Sequence, residues 1–117
     1  MRRVALMLMF LSSLTAADFG GRWTGILETP RGGRKSAILV LKQNGEKITG
    51  TFGGSETDYR EIEKGKADGD VISFDVAIGP VVKFVLRSTG DRLTGEGTAE
   101  SNGAKEIFKV DLRHDAR

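Results

Sequence analysis

Short runs in which apolar and polar residues alternate occupy the chain from about residue 20 onward. In one of them, Ile72, Phe74 and Val76 alternate with Ser73 and Asp75. Such period-two alternation is typical of a strand with one buried face and one face in water. No segment beyond residue 17 shows the 3.6-residue apolar period of a helix. The pattern therefore predicts an all-β domain.

Turn signals separate these runs at an interval of about 11 to 12 residues, the cadence of strands joined each to the next. The seven turns lie at Gly32-Gly33, Asn44-Gly45, Ser55–Asp58, Asp68-Gly69, Gly79-Pro80, Gly90-Asp91 and Asn102-Gly103. The eight predicted strands are Arg22–Thr29, Lys35–Lys42, Lys47–Gly53, Tyr59–Ala67, Val71–Ile78, Val81–Ser88, Arg92–Ala99 and Ala104–Arg113. Evenly spaced short strands favour an eight-stranded antiparallel up-and-down meander that closes into a barrel.

The first 17 residues have the layout of a secretory signal peptide. A basic start, Arg2-Arg3, precedes an apolar run over Val4–Leu11, and small residues end at Ala16 and Ala17. That order predicts an exported protein whose leader helix is removed. The apolar run is shorter than the roughly 20 residues that a membrane span needs. We therefore expect a signal peptide over 1–17, a barrel over 18–113, a flexible tail over 114–117, and no stable membrane insertion after cleavage. The expected location is secreted or periplasmic.

Composition narrows the partners and cofactors. The chain has no cysteine, so neither a lipid anchor at the cleavage site nor a disulfide is available to the exported domain. Two of its 18 basic residues, Arg2 and Arg3, belong to the leader, which leaves the mature domain balanced against its 16 acidic residues. Lys and Arg are interspersed with Asp and Glu. Because nucleic-acid binding needs a coherent basic surface, no nucleic-acid partner is expected.

Residues for catalysis are scarce. The single histidine is His114, in the expected tail, and without cysteine an ordinary zinc site cannot form. Glu61 and Glu63 share a strand face but alternate with Lys and Arg, whereas a carboxylate pair for hydrolysis must face across a cleft. The sequence therefore predicts a protein without metal or cofactor that is not an enzyme.

Two strands break the alternation. The stretches Ile38–Leu41 and Val81–Leu86 are apolar on both faces or nearly so. Either the chain itself covers their outer side, for example with the first residues after cleavage, or a partner does. Both alternatives stay open at this point.

The start of the first strand carries a family resemblance. Gly21-x-Trp23, followed by seven more meander strands, resembles the calycins, the superfamily of lipocalins and fatty-acid-binding proteins. The resemblance implies that Trp23 closes one barrel end and that a basic residue of the last strand packs over it, a role that Arg113 is placed to fill. The chain is also similar to small exported bacterial proteins that open in the same Gly-x-Trp-x-Gly manner. Bacterial inhibitors of secreted metalloproteases, which are small exported eight-stranded barrels, are an analogue for a protein that works through interaction with another protein.

The resulting functional prediction is a binding barrel. Ligand-binding candidates in the barrel interior are Trp23, Leu39, Phe52, Phe74, Phe84 and Phe108, and the residues for closure of the barrel end are Trp23 and Arg113. The expected partner is a small apolar ligand held inside, or, for a filled barrel, an extracellular protein bound at its surface in the manner of an inhibitor. A continuous apolar cavity above about 300 Å³ supports the first function, and a solid interior supports the second.

Overall fold

The structure, a computed structural model, describes residues 18–55 and 57–115, apart from the side chain of Ser101. The predicted signal peptide over 1–17 and the last two residues of the predicted tail lie outside the described residues. The described residues include no helix that could span a bilayer.

Nine antiparallel strands form a single sheet. They are β1 (Gly21–Glu28), β2 (Arg34–Asn44), β3 (Lys47–Gly53), β4 (Tyr59–Glu61), β5 (Glu63–Asp68), β6 (Val71–Ala77), β7 (Val81–Thr89), β8 (Arg92–Ser101) and β9 (Ala104–His114). The strands follow the eight predicted runs closely, because alternating apolar residues bury one face of each run and glycine-containing turns end it. The all-β prediction is confirmed.

The extra strand comes from a break in the predicted fourth strand at Ile62. The side chain of Ile62 is buried, and its N–H donates to the Gly50 carbonyl at 3.0 Å. Immediately after it, the pairing of β5 with β6 shifts register between Glu63 and Lys66, and Lys64 has a positive φ of 57°. An extra residue on one strand of a pair is a β-bulge, which bends that strand and increases its twist.

The sheet closes on itself. Successive strands pair with each other except at the break at Ile62, where β4 and β5 both pair with β3 and not with one another. The first and last strands, β1 and β9, also pair, through a register that sets Trp23 opposite His114 and Leu27 opposite Val110. Closure therefore joins the first strand to the last, as the meander predicts. This closure removes the edges that β1 and β9 would expose in an open sheet.

The two ends of the barrel differ. The closed end, as we call it, is where β1 begins and β9 ends, near Trp23 and His114. The mouth is the opposite end, where β1 ends at Glu28 and β2 begins at Arg34. The core runs between them as a single cluster of 19 buried residues, all hydrophobic. The buried side chains among the described residues include no polar or charged one.

Candidate functional site

The closed end is plugged by residues that precede the first strand. Phe19 is fully buried, and its carbonyl oxygen accepts a hydrogen bond from the Trp23 indole Nε1 at 2.9 Å. The Phe19 N–H donates to Gln43 Oε1 at 2.7 Å, and Gln43 Nε2 donates to the Gly45 carbonyl at 2.9 Å. A buried indole N–H needs such a partner. Trp23 and Phe19 together therefore seal this end of the barrel.

His114, rather than Arg113, packs against Trp23, which differs from the prediction. The two rings lie 4.6 Å apart between centroids in an edge-to-face arrangement. Arg113 is paired with Thr24 and is exposed on the outer surface. Residues directly opposite in an antiparallel pair share a face, so the register that sets Trp23 against His114 turns Arg113 outward.

The last residues of the described chain hold the start of β1. His114 Nε2 lies 3.0 Å from the Gly20 carbonyl oxygen. Asp115 accepts a hydrogen bond from Thr24 Oγ1 at 3.1 Å, lies 3.0 Å from Arg22 Nε, and donates its N–H to the Arg22 carbonyl. Residues 114 and 115, expected in a tail, therefore contribute contacts to the barrel.

Gly21 is required by this packing. A Cβ atom there would lie 2.6 Å from His114 Nε2, and the φ of Gly21 is 115°, a conformation that other residues rarely adopt. The glycine of the Gly21-x-Trp23 motif thus has a physical reason in this chain, since it makes room for the imidazole.

Separate alanine substitutions of His114 and Arg113 test which of the two residues packs against Trp23. His114→Ala should lower the free energy of unfolding by about 1 kcal/mol, because it removes the ring contact with Trp23. Arg113→Ala should change it by less than about 0.5 kcal/mol, as for an ordinary exposed residue. Urea denaturation followed by Trp23 fluorescence measures both. A larger loss for Arg113→Ala than for His114→Ala would contradict the register.

The middle of the barrel is filled by phenylalanines. The Phe52 and Phe84 rings lie 5.1 Å apart, Phe74 and Phe84 5.4 Å, and Phe52 and Phe74 6.3 Å. Trp23 and Leu39 are also buried in the interior, while Phe108 is half-buried against the core. The structure thus places all six predicted interior residues on the inner face, and it packs the rings of three of them, Phe52, Phe74 and Phe84, against one another.

A cavity of about 250 Å³ opens at the mouth. Its apolar wall is formed by Leu27, Ala37, Phe52, Tyr59 and Ile78. Of the six predicted ligand-binding candidates, Phe52 alone lines it among the described residues. The volume is below the roughly 300 Å³ at the lower limit of ordinary ligand pockets, so an occupant must be small or only partly enclosed.

Two basic residues lie on the inner face of the sheet at this mouth. Lys35 lies directly opposite Leu27, and Arg60 lies directly opposite Phe52, so each shares the inward face with its partner. Both side chains line the cavity, together with one carboxylate, that of Asp58. Among residues 18–55 and 57–115, neither Lys35 nor Arg60 forms an ion pair. The mouth therefore combines an apolar wall with two cationic side chains.

The outer surface carries exposed valines and surface ion pairs. Val40 on β2 is 38% exposed, and Val81 and Val85 on β7 are 57% and 49% exposed. The first residues of the expected mature chain do not cover them, since Phe19 lies inside the closed end. Elsewhere on the surface, Asp111 accepts a hydrogen bond from Arg92, and this bond with the charge of Asp111 raises the pKa of the Arg92 guanidinium.

Metal ligands do not converge in the described ranges, where no group of three or more His, Cys, Asp or Glu side chains is placed to hold an ion. Depressions of about 440 and 520 Å³ exist on the outer faces. The Arg92–Asp111 ion pair lies in the lining of the first depression. The second is lined mainly by threonine, valine and charged side chains. The mouth remains the place where an apolar pocket meets the barrel interior.

Comparison with known proteins identifies no relative of this chain. No family model, no curated protein and no solved structure matches this chain. The closed barrel is compatible with a calycin-like fold. That compatibility rests on the strand topology and on the position of Trp23 at the closed end, where it bonds to Phe19.

Proposed function

We propose that the mature protein is a secreted or periplasmic, calycin-like binding barrel that holds a small apolar group at its mouth. The observation that carries the proposal is the cavity of about 250 Å³ whose wall includes Leu27, Phe52 and Ile78. Apolar surface removed from water contributes roughly 25 cal/mol per Å². Because the phenylalanine cluster fills the middle of the barrel, the ligand is held at the rim rather than in the centre. The proposed role is binding, not catalysis.

Detection of binding must take account of where Trp23 lies. Trp23 is at the closed end, separated from the mouth by the Phe52, Phe74 and Phe84 rings. We therefore expect its fluorescence to be insensitive to a mouth ligand. Backbone amide NMR of the mature chain with 1-octanol is the better test. Resonances of Leu27, Ala37 and Ile78 should shift in a saturable way.

A blocking variant makes the test specific. Gly54 lines the mouth, and the nearest atom to a Cβ placed there is the Ser36 carbonyl oxygen at 3.7 Å, an ordinary contact, so Gly54→Leu introduces a bulky side chain at the mouth from an uncrowded Cβ position. This variant should abolish the octanol shifts and keep the fold. The matched control is Thr94→Leu, which adds the same kind of side chain to an outer depression and should bind as the parent does. Octanol shifts that persist unchanged in Gly54→Leu would refute binding at the mouth.

A surface function is the second candidate, and the exposed valines favour it. Val81 and Val85 project from β7, one of the two strands whose sequence is apolar, or nearly so, on both faces. An apolar outer strand is the kind of feature that a protein partner covers. Val85→Lys should then abolish capture of that partner while leaving the octanol shifts unchanged, so the two functions can be separated in one set of variants.

A further inference from the structure

The outer seam of the barrel, as we call the outward face where β9 lies between β1 and β8, carries a depression of about 440 Å³. Its lining has four basic side chains and two acidic ones, and thus a net positive charge: Arg34, Arg92, Lys109, Arg113, Glu28 and Asp111. The other outer depression, of about 520 Å³, is balanced, with one basic and one acidic side chain, Arg87 and Glu96. The excess of positive charge is therefore a local property of the outer seam.

Two arginines lie side by side at one end of this depression. Arg92 on β8 is directly opposite Arg113 on β9. Residues in this relation share a face of the sheet, their Cβ atoms lie about 5 Å apart, and like charges there repel one another. The next residue across the sheet, Thr24 on β1, is uncharged. This row of three residues therefore holds two positive charges and no negative one.

The carboxylates that flank Arg113 along the chain are occupied by other arginines. Asp111 Oδ2 lies 2.6 Å from Arg92 Nη2, and Asp115 Oδ2 lies 3.0 Å from Arg22 Nε. Across residues 18–55 and 57–115, Arg113 itself forms no ion pair. Its exposed guanidinium is thus available to an anion from solution.

Lys109, farther along the depression, has a different environment. It is directly opposite Glu28 on β1 and directly opposite Glu96 on β8. Opposite charges in such cross-strand pairs attract one another, so the charge of Lys109 is compensated from both sides. The positive excess of the outer seam is therefore concentrated at Arg92 and Arg113.

We infer that the outer seam binds a tetrahedral oxyanion, a phosphate or a sulfate, between the guanidinium groups of Arg92 and Arg113. A guanidinium is planar and always charged, and its N–H groups match two oxygens of such an anion. A bound anion also offsets the repulsion between the two arginines. The depression is larger than the anion alone requires, so the oxyanion is either free or the ester group of a larger polar molecule such as a sugar phosphate. This site lies outside the barrel and does not depend on the proposed function.

The experiment titrates the mature protein with inorganic phosphate, glucose 6-phosphate and glucose at low salt, and follows the arginine Nε–Hε resonances by NMR. Both phosphates should shift the Arg92 and Arg113 resonances in a saturable way, and glucose should not. Binding should be lost at about 1 M sodium chloride, where the screening length is about 3 Å. Tighter binding of glucose 6-phosphate identifies an ester as the source of the oxyanion, and equal affinities identify the free anion.

Charge variants locate the site. Arg113→Gln should weaken phosphate binding about three- to five-fold, and Asp111→Asn should tighten it about two- to five-fold, because each changes one exposed charge beside the anion. The matched control is Arg87→Gln, which removes the same charge from the balanced depression, where Arg87 is paired with Asp70 at 3.0 Å. It should leave the affinity for phosphate unchanged.

Two results would overturn the inference. One is the absence of saturable shifts at Arg92 and Arg113 with both phosphates. The other is an equal loss of affinity in Arg113→Gln and Arg87→Gln, because binding would then follow the net charge of the chain rather than this pair of arginines. Neither result bears on the octanol test at the mouth, so the outer seam and the proposed function are tested separately.

Discussion

Gly50→Ala is expected to lower the free energy of unfolding by about 3 kcal/mol or more. A Cβ atom at Gly50 would overlap the carbonyl oxygen of Val40, and its next neighbours, the Val40 carbonyl carbon and Leu41 Cα, lie at 2.9 and 3.0 Å. All three are backbone atoms of β2, so no side-chain rotation relieves the overlap. The φ of Gly50 is 153°, which adds backbone strain for any other residue.

The crowding at Gly50 has a structural origin. Its carbonyl oxygen accepts the N–H of Ile62, the residue at which β4 gives way to β5. At Gly50, β3 therefore contacts the backbone of β2 on one side and the break between β4 and β5 on the other. Thermal denaturation should show a Tm lowered by more than about 12 °C.

The matched control is Gly54→Ala, at a glycine four residues after Gly50 on the same segment. The nearest atom to its Cβ is 3.7 Å away, an ordinary contact, so its Tm should stay within a few degrees of the parent. Equal effects of the two substitutions would contradict the close approach of β2 and β3 at Gly50.

Phe84→Ala is expected to cost about 3–5 kcal/mol of unfolding free energy, as for a large buried aromatic truncated in a core. Phe84 is fully buried, its ring contacts those of Phe52 and Phe74, and a Cβ at the facing Gly97 would lie 2.5 Å from its Cε1 atom. A glycine and a phenylalanine therefore interlock across β7 and β8. Guanidinium denaturation followed by Trp23 emission measures the loss.

Phe108→Ala is the comparison for Phe84→Ala. Phe108 faces Gly97 from the other side but is only half-buried, so its truncation should cost clearly less. If the two variants lose the same free energy, or if Phe84→Ala loses less than about 1 kcal/mol, the interior is not packed as described, and a central ligand cavity becomes the better explanation of the barrel.

The strand order was accessible from the sequence because it depends on local signals. Asn44-Gly45 and Asn102-Gly103 fall at turns, and both Gly45 and Gly103 have positive φ. Between turns, alternation fixes which residues face inward, so Phe74 and Phe84 are both found in the core. The break at Ile62 was not accessible, since a bulge depends on how β3 meets two neighbours, which no local pattern encodes.

The site was harder to predict than the fold. The resemblance assigned Arg113 to the Trp23 contact, yet the alternation of Val110 and Leu112 in β9 already gives His114, and not Arg113, the inward parity. The same argument places Lys35 with Ala37 on the inner face of β2. Leu27 and Ile78 were missed because a mouth is defined by which strand ends converge, a property of closure rather than of any one run.

Phe19 was missed for a different reason. It precedes the first strand, so no alternating pattern includes it, and its burial depends on the hydrogen bonds that Trp23 Nε1 and Gln43 Oε1 make to its backbone. The sequence offered one signal, an aromatic residue four positions before the tryptophan of the first strand.

The seam between β1 and β9 brings Asp18 and Asp115 to one pole of the molecule, opposite the proposed entrance. An affinity tag, a fluorescent fusion or an immobilising linker attached beside Asp18 or Asp115 would lie at the pole opposite Lys35 and Arg60. A circularly permuted barrel, with Asp18 linked to Asp115 and new ends opened at the exposed Asp68-Gly69-Asp70 hairpin, would have its free ends at that same pole. A barrel anchored at this pole therefore keeps its mouth accessible to solvent.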